Sequence, residues 1–212
     1  MSRRRVSDSS LTPRTALAVL SPQKAVEVSL PDPYRTARLA LRPLRAGDRD
    51  SFLAALSASR EALSRWIGLW EGGKTDTDVF DRQLELASRS QERRSVRLVG
   101  ILEDGRVAGC FNLSDITHGL ESKAEVSWWV RSDLTGQGLG REGASWLVHH
   151  ALSTTPKGLG LSRVFATVHE QNHAGKRTAL AVGLTPADRM TATVRLGGQW
   201  IPHVVYTRSA TL

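Results

Sequence analysis

The chain reads as a mixed α/β domain, one sheet with helices on both faces. Two observations predict this. Apolar residues recur with period two in some segments and with helical spacing in others, and the two kinds of segment interleave along the chain. The 212 residues also suit one domain with a sizeable core, once a ragged start is set aside.

Residues 1–34 are rich in Ser, Pro and Arg and lack periodicity, which predicts a flexible extension ahead of a domain over 35–212. Thr36 to Leu44 alternates, with Leu39 and Leu41 on one face and Arg38 and Arg42 on the other, and predicts a strand that stops at Pro43. A helix follows, with Asp48 as its N-cap and Phe52, Leu53 and Leu56 on its buried face. "REALSRWIGLW" carries Trp66 and Trp70 in a short helix or ordered loop. "TDTDVFDRQLELASRSQER" opens on cap residues and repeats Val79, Phe80, Leu84 and Ala87 at helical spacing.

The period then changes to two. "SVRLVGIL" and "RVAGCFNL" flank Glu103-Asp104-Gly105 as a hairpin, and "KAEVSWWV" makes a third strand. "REGASWLVHHALS" is a helix with Ala144, Leu147, Val148, Ala151 and Leu152 as its stripe. "LSRVFATVHE" alternates as a strand, "NHAGKRTALAVG" is a helix ending at Gly183, and "TATVRL" and "HVVYTRS" are the last strands.

The charge balance is +8, from 29 Lys and Arg against 21 Asp and Glu. The arginines are scattered singly beyond Arg3-Arg4-Arg5, so this field suits any polyanion, a phosphorylated cofactor or a ribosome alike. No apolar run is long enough to span a bilayer, and Pro13 and Arg14 interrupt the short one near the start; a cytoplasmic location and no membrane partner are expected. Cys110, the one cysteine, lies in an apolar stretch and reads as a small buried hydrophobe.

His169-Glu170-Gln171-Asn172-His173 matches the H-E-x-x-H zinc pattern. That chemistry needs both rings on one face of a continuous helix. Here the first histidine ends an alternating run and the second follows Asn172, a good N-cap, so no metal site is expected.

The informative stretch is "VRSDLTGQGLGREGASWLVHHAL". A strand precedes it, an amphipathic helix follows, and Gly136, Gly138 and Gly140 alternate through the turn. Glycines let backbone N–H groups approach a ligand, and a helix N-terminus adds its positive dipole end, so the turn can cradle phosphate oxygens.

On these residues the chain resembles the GNAT superfamily of acetyl-CoA-dependent N-acetyltransferases, in its RimJ/RimL-like branch, from about Tyr34 to Arg208. "TARLALRPLRAGD" looks like the branch's opening strand and helix, and "KAEVSWWVRSDLTGQGLG" like its central strand and pyrophosphate loop. "VHEQNHAGKRTALAVGL" looks like the strand and helix beside the thioester, and "GQWIPHVVYTRS" like the closing strand. The resemblance implies a mostly antiparallel sheet of about seven strands and acetyl-CoA as co-substrate. It implies cofactor contacts from Val130, from the backbone of Gln137, Gly138, Leu139, Gly140 and Arg141, and from Asn172 beside the pantetheine arm. Trp66 and Trp70 fall where the family builds its acceptor-side wall; packing between two helices is their other reading.

Three positions depart from the branch. Thr135 replaces the long side chain that opens the loop, Gly175 stands where a serine helps the departing thiolate, and Pro202-His203 replaces an acidic residue. A serine restored at Gly175 is expected to raise turnover, unless glycine is needed there for close packing.

The chemistry implied is direct acetyl transfer to a primary amine, with a carboxylate taking the amine's proton. Glu125 on the central strand is the first choice for that base, with Asp115 and Glu121 as rivals and a surface pairing with Lys123 as its bland reading. The acceptor is a protein N-terminus or a small amine such as a polyamine, amino acid or aminoglycoside, with ribosome association among the implied partners and a monomer or homodimer as the assembly. A non-catalytic acyl-CoA-binding module on the same fold is the competing class.

Overall fold

The computed structural model describes residues 33–89 and 94–211. Residues 1–32 of the expected extension lie outside the described residues. Tyr34 does not belong to that extension: it opens β1 (Tyr34–Arg35), pairs with Leu41, and lays its ring 4.1 Å from that of Trp146.

Of the strand expected over 36–44, only Ala40–Arg42 is extended and paired. Thr36 N–H donates to the Leu39 carbonyl at 2.9 Å and Thr36 Oγ1 accepts from the Leu39 N–H at 3.0 Å, which closes a turn between β1 and β2 (Ala40–Arg42). Such local side-chain bonds compete with a ladder. Arg42 then grips Asp48 through two 2.7 Å contacts. That pairing takes the carboxylate expected to cap the first helix, so α1 (Arg49–Ser64) starts after a 3-10 turn without a side-chain cap. α1 also absorbs "REALS", which the sequence suggested was separate. α2 (Asp76–Ser88) has a full capping box between Thr75 and Asp78.

β3 (Val96–Ile101) and β4 (Val107–Thr117) form the expected hairpin. β5 (Lys123–Val130) pairs antiparallel with β4. A 3-10 turn and the glycine loop lead into α3 (Leu139–Leu152), then β6 (Arg163–His169), α4 (His173–Ala181), β7 (Thr185–Leu196) and β8 (Gln199–Ser209). The eight strands lie in the order β1-β2-β3-β4-β5-β6-β8-β7, and the β5–β6 pair is parallel while its neighbours are antiparallel. The strand beyond the expected seven is β1.

Alternate residues of the central strands feed two cores. Leu98, Phe111, Leu113, Val126, Val164 and Ala166 face α3 and α4. Val99, Val107, Cys110 and half-buried Trp129 face α1 and α2. Burial on both sides is why β4 reads as a nearly continuous apolar run. Cys110 is 4% exposed, and burial pushes its thiol up to about 12, so it is packing rather than a nucleophile. Among the described residues, no helix is long and apolar enough to cross a membrane.

α3 approaches the sheet through Gly143, where a Cβ would fall 2.3 Å from Cε1 of the fully buried Phe111 ring. Gly143→Ala is therefore expected to destabilise the domain by about 1–3 kcal/mol. Thermal unfolding measures this; an unchanged melting temperature would mean that the ring moves aside freely and that the close approach is incidental.

Candidate active site

β5 is paired with β6 only over Lys123–Glu125, matched to Arg163–Phe165. Beyond that register β5 stays with β4 as far as Val130, while β6 stays with β8 as far as His169. The two strands part and leave a notch in the middle of the sheet. In an antiparallel ladder alternate residues bond to a given neighbour, so alternate backbone groups of Val126–Val130 face the notch unpaired by β6. Ser127, on a central strand, is exposed there.

The helices that follow the two strands start at the open end of this notch. Gly136 and Gly138 take φ of +78° and +82°, a conformation that glycine adopts without strain. Gly138 is the N-cap of α3 and supplies no side-chain cap. Glu142 N–H to the Gly138 carbonyl, at 3.0 Å, is the first bond into the helix. Among the described residues, the N–H groups of Leu139, Gly140 and Arg141 find no protein acceptor ahead of it. Unsatisfied donors at a positive dipole end fit an anion. Thr135 turns its hydroxyl inward onto the Ser132 carbonyl, at 2.8 Å, rather than toward the loop's outer side. Gly140 packs between Val130 Cγ2 and Thr178 of α4, 3.4 and 3.7 Å from its would-be Cβ, which draws β5, α3 and α4 together at the notch.

Asn172 caps α4: its Oδ1 accepts from the Gly175 N–H at 2.8 Å. That leaves the amide NH2 as its one free function. The backbone disposes of the zinc pattern, since His169 ends β6 and His173 opens α4.

The α1–α2 side of the notch collects the titratable groups. Glu125 is half-buried on this face, with Thr167 of β6 among the groups that favour its charged form. Burial first, and the nearby Asp115 charge second, raise its pKa against the opposing pull of Thr167 and Arg97. Lys123 pairs with Glu121 at 2.6 Å, not with Glu125. Glu121 is thereby engaged in an exposed turn, while Asp115 lies exposed at a β-bulge with φ +51°.

Further along β6, His169 meets Trp66 edge-on at 5.1 Å and His203 of β8 at 5.2 Å. Gln171 N–H donates to His169 Nδ1 at 3.0 Å, which puts the neutral ring's proton on Nε2. The buried His203 donates from Nδ1 to the Ile201 carbonyl at 2.9 Å. Burial, with the His203 ring next, holds His169 below its ordinary range.

The two tryptophans separate. Trp66 is half-buried against His169. Trp70 is 9% exposed in the α1–α2 core, its indole N–H donating to Asp76 at 2.6 Å and its ring under Arg60. The structure therefore does not bring Trp70 beside Trp66 and His169. Sequence reasoning missed Thr167, His203 and Arg38, whose guanidinium reaches the glycine loop. The signal for His203 was its register opposite His169, visible only once β8 is known to lie beside β6.

Gly175 packs closely against its neighbours. A Cβ there would lie 2.9 Å from Asn172 Nδ2 and 3.0 Å from Val168 Cγ1. The expected rate gain from Gly175→Ser gives way to a loss of roughly 1 kcal/mol of stability, because the serine must displace the capping side chain or a core strand. Thermal unfolding checks it: a melting temperature equal to the parent's would restore the catalytic reading of this position.

The acetyltransferase (GNAT) domain family matches residues 38–185, from the turn before β2 to the start of β7. No curated protein matches the chain. Among solved structures, the chain is similar to Mycobacterium smegmatis RimJ in complex with CoA-disulfide, at 22% identity, 81% of this chain and 82% of that one covered, and a TM-score of 0.69. It is similar to the ribosomal-protein-S5-alanine acetyltransferase from Vibrio fischeri, at 16% identity, 84% and 96% covered, TM-score 0.71. It is also similar to the microcin self-immunity acetyltransferase MccE in complex with acetyl-CoA and AMP, at 13% identity, 86% and 98% covered, TM-score 0.73. These likenesses concern the fold. With the family match spanning both strands of the notch and the glycine loop, the chain belongs to the GNAT acetyltransferase family, acyltransferases that use acetyl-CoA.

Proposed function

We propose that the chain transfers the acetyl group of acetyl-CoA to the amino terminus of a protein, with Glu125 as general base. The observation that carries the reading is the notch itself, with unpaired helix-terminal amides at its open end and a carboxylate of raised pKa on its α1–α2 side.

In this reading the N–H groups of Gln137 to Arg141 hold the pyrophosphate, Val130 packs beside the pantetheine arm, and the free NH2 of Asn172 hydrogen-bonds it. The thioester then lies along the unpaired edge of β5, where a backbone N–H of that edge donates to the carbonyl oxygen as negative charge builds on it. The amine approaches from the α1–α2 side, past Trp66 and His169. Glu125 takes its proton, directly or through water; its raised pKa makes it a better acceptor than an ordinary carboxylate. A thiol has a pKa of about 8.5, so the thiolate departs near neutral pH with modest help.

A chain end as acceptor is supported by two things. Two of the similar structures bear names of ribosomal-protein acetyltransferases. The acceptor side is also bridged, since the Gly197 N–H at the tip of the β7–β8 hairpin donates to Glu71 of the α1–α2 connection at 2.7 Å. Such a bridge favours a thin acceptor that threads in end-on. The net charge of +8 suits a ribosomal surface, and the reading carries a cytoplasmic location with it. The test is acetyl-CoA turnover across a panel of amines, including peptides that start with Ser and Ala. Turnover confined to polyamines, amino acids or aminoglycosides would replace the acceptor, and none with any amine would favour an acyl-CoA-binding module.

Gly138→Glu places a strained side chain with a negative charge at the phosphate site and is expected to abolish acetyl-CoA binding. Calorimetry measures it; binding like the parent's would remove the loop from the site. Glu125→Gln keeps the shape and removes the proton acceptor, so it is expected to lower kcat about 100-fold or more with little change in acetyl-CoA affinity. The acidic limb of the parent's pH–rate profile lies above the ordinary carboxylate range and is lost in this variant. Unchanged turnover would move the role to Asp115 or to water alone.

A further inference from the structure

Arg38 lies in the turn between β1 and β2, outside the loop and the notch, yet four of its bonds end on the loop or the start of α3. Three of the four end on Glu142 of α3: the Arg38 main-chain N–H donates to Oε1 at 2.7 Å, and its Nε and Nη2 reach Oε2 at 2.8 and 2.7 Å; the fourth, from Nη1, goes to the Gln137 carbonyl of the loop at 2.8 Å. Thr36 adds a 2.5 Å bond to Glu142 Oε1. Glu142 is 14% exposed; burial opposes its charge, but the bonds from Thr36 and Arg38 outweigh that and hold its carboxyl below the usual range. The guanidinium is thus fixed by one residue of α3 while it holds a carbonyl of the loop.

That carbonyl matters because the Gln137 C=O and the Gly138 N–H are opposite ends of one planar peptide group. Gly138 at φ +82° is a residue whose neighbouring peptide can turn over at little cost, since no Cβ resists it. A turned peptide would present an oxygen where the loop needs a donor. With the oxygen bound to Arg38, the N–H must face the other way, out of the loop. Nη2 also lies 3.5 Å from the would-be Cβ of Gly138, so the positive charge runs alongside the same peptide. Thr135 turns its short side chain inward and supplies neither function.

We propose that Arg38 is the positioning residue of the loop: it locks the Gln137–Gly138 peptide so that the Gly138 N–H faces the pyrophosphate of the acyl donor. This rests on the reading of the loop as the pyrophosphate site.

The test compares two thioesters, acetyl-CoA and S-acetylpantetheine, which has the same reacting end and no pyrophosphate. In Arg38→Gln the kcat/KM for acetyl-CoA is expected to fall about ten- to hundredfold, in KM rather than kcat, while that for S-acetylpantetheine stays within about twofold of the parent's. Arg38→Lys keeps a cation on Glu142 but cannot also hold the Gln137 carbonyl, and is expected to show the same split with a smaller cost in melting temperature. Equal losses with both thioesters would make Arg38 a support of the fold and overturn the proposal, as would no loss with either. A parent enzyme that uses both thioesters equally well would instead sink the loop reading on which the proposal stands.

Discussion

The site depends on one constraint: a strand cannot stay bonded to two neighbours that diverge. β5 is tied to β4 along nearly its whole length, and β6 to β8 along all of its own. The twist that accumulates between these two halves is relieved at their single parallel seam, which holds for three residue pairs and then opens. The proposed chemistry draws on that opening. It frees backbone donors in the middle of a sheet, exposes Ser127 on a central strand, and sets the starts of α3 and α4 side by side.

Packing on both faces keeps the opening from closing up or spreading. α3 is drawn against β4 through Gly143 and Phe111, and against α4 through Gly140 between Val130 and Thr178. On the other face, Phe52 of α1 meets Phe80 of α2 and Trp129 of β5 edge to face. Glycines at these contacts let helices approach closely enough to fix the notch, so their role is geometric before it is catalytic. Charge is arranged along the same lines. The start of α3 carries unpaired donors and the Arg38 guanidinium, and the α1–α2 side of the notch carries Glu125, with Arg97 and Thr167 restraining the rise that burial forces on it.

The element order was legible because period-two and helical segments are long and separated by turn residues. The glycine loop was legible because its residues are contiguous. What could not be read were the contacts between segments distant in sequence. Thr36 and Arg38 look like one face of an alternating strand; neither the turn that Thr36 closes with Leu39 nor the bonds to Glu142, over a hundred residues away, shows in that pattern. Trp66 and Trp70 are equivalent in sequence, yet Asp76 and Arg60 claim the second for the core. Gly175 reads as a lost catalytic serine until the nearness of Asn172 and Val168 is seen. The change of period between His169 and His173 already separates the rings of the zinc pattern.

The central claim is that the unpaired edge of β5 and the amides at the start of α3 form one continuous binding surface for the acyl donor. Hydrogen–deuterium exchange of the full chain, with and without saturating acetyl-CoA, tests it most directly. The account predicts that amides of Gln137 to Arg141 and alternate amides of Val126–Val130 gain protection together, at the same acetyl-CoA concentration. Protection at the loop without β5, or at neither, would contradict it.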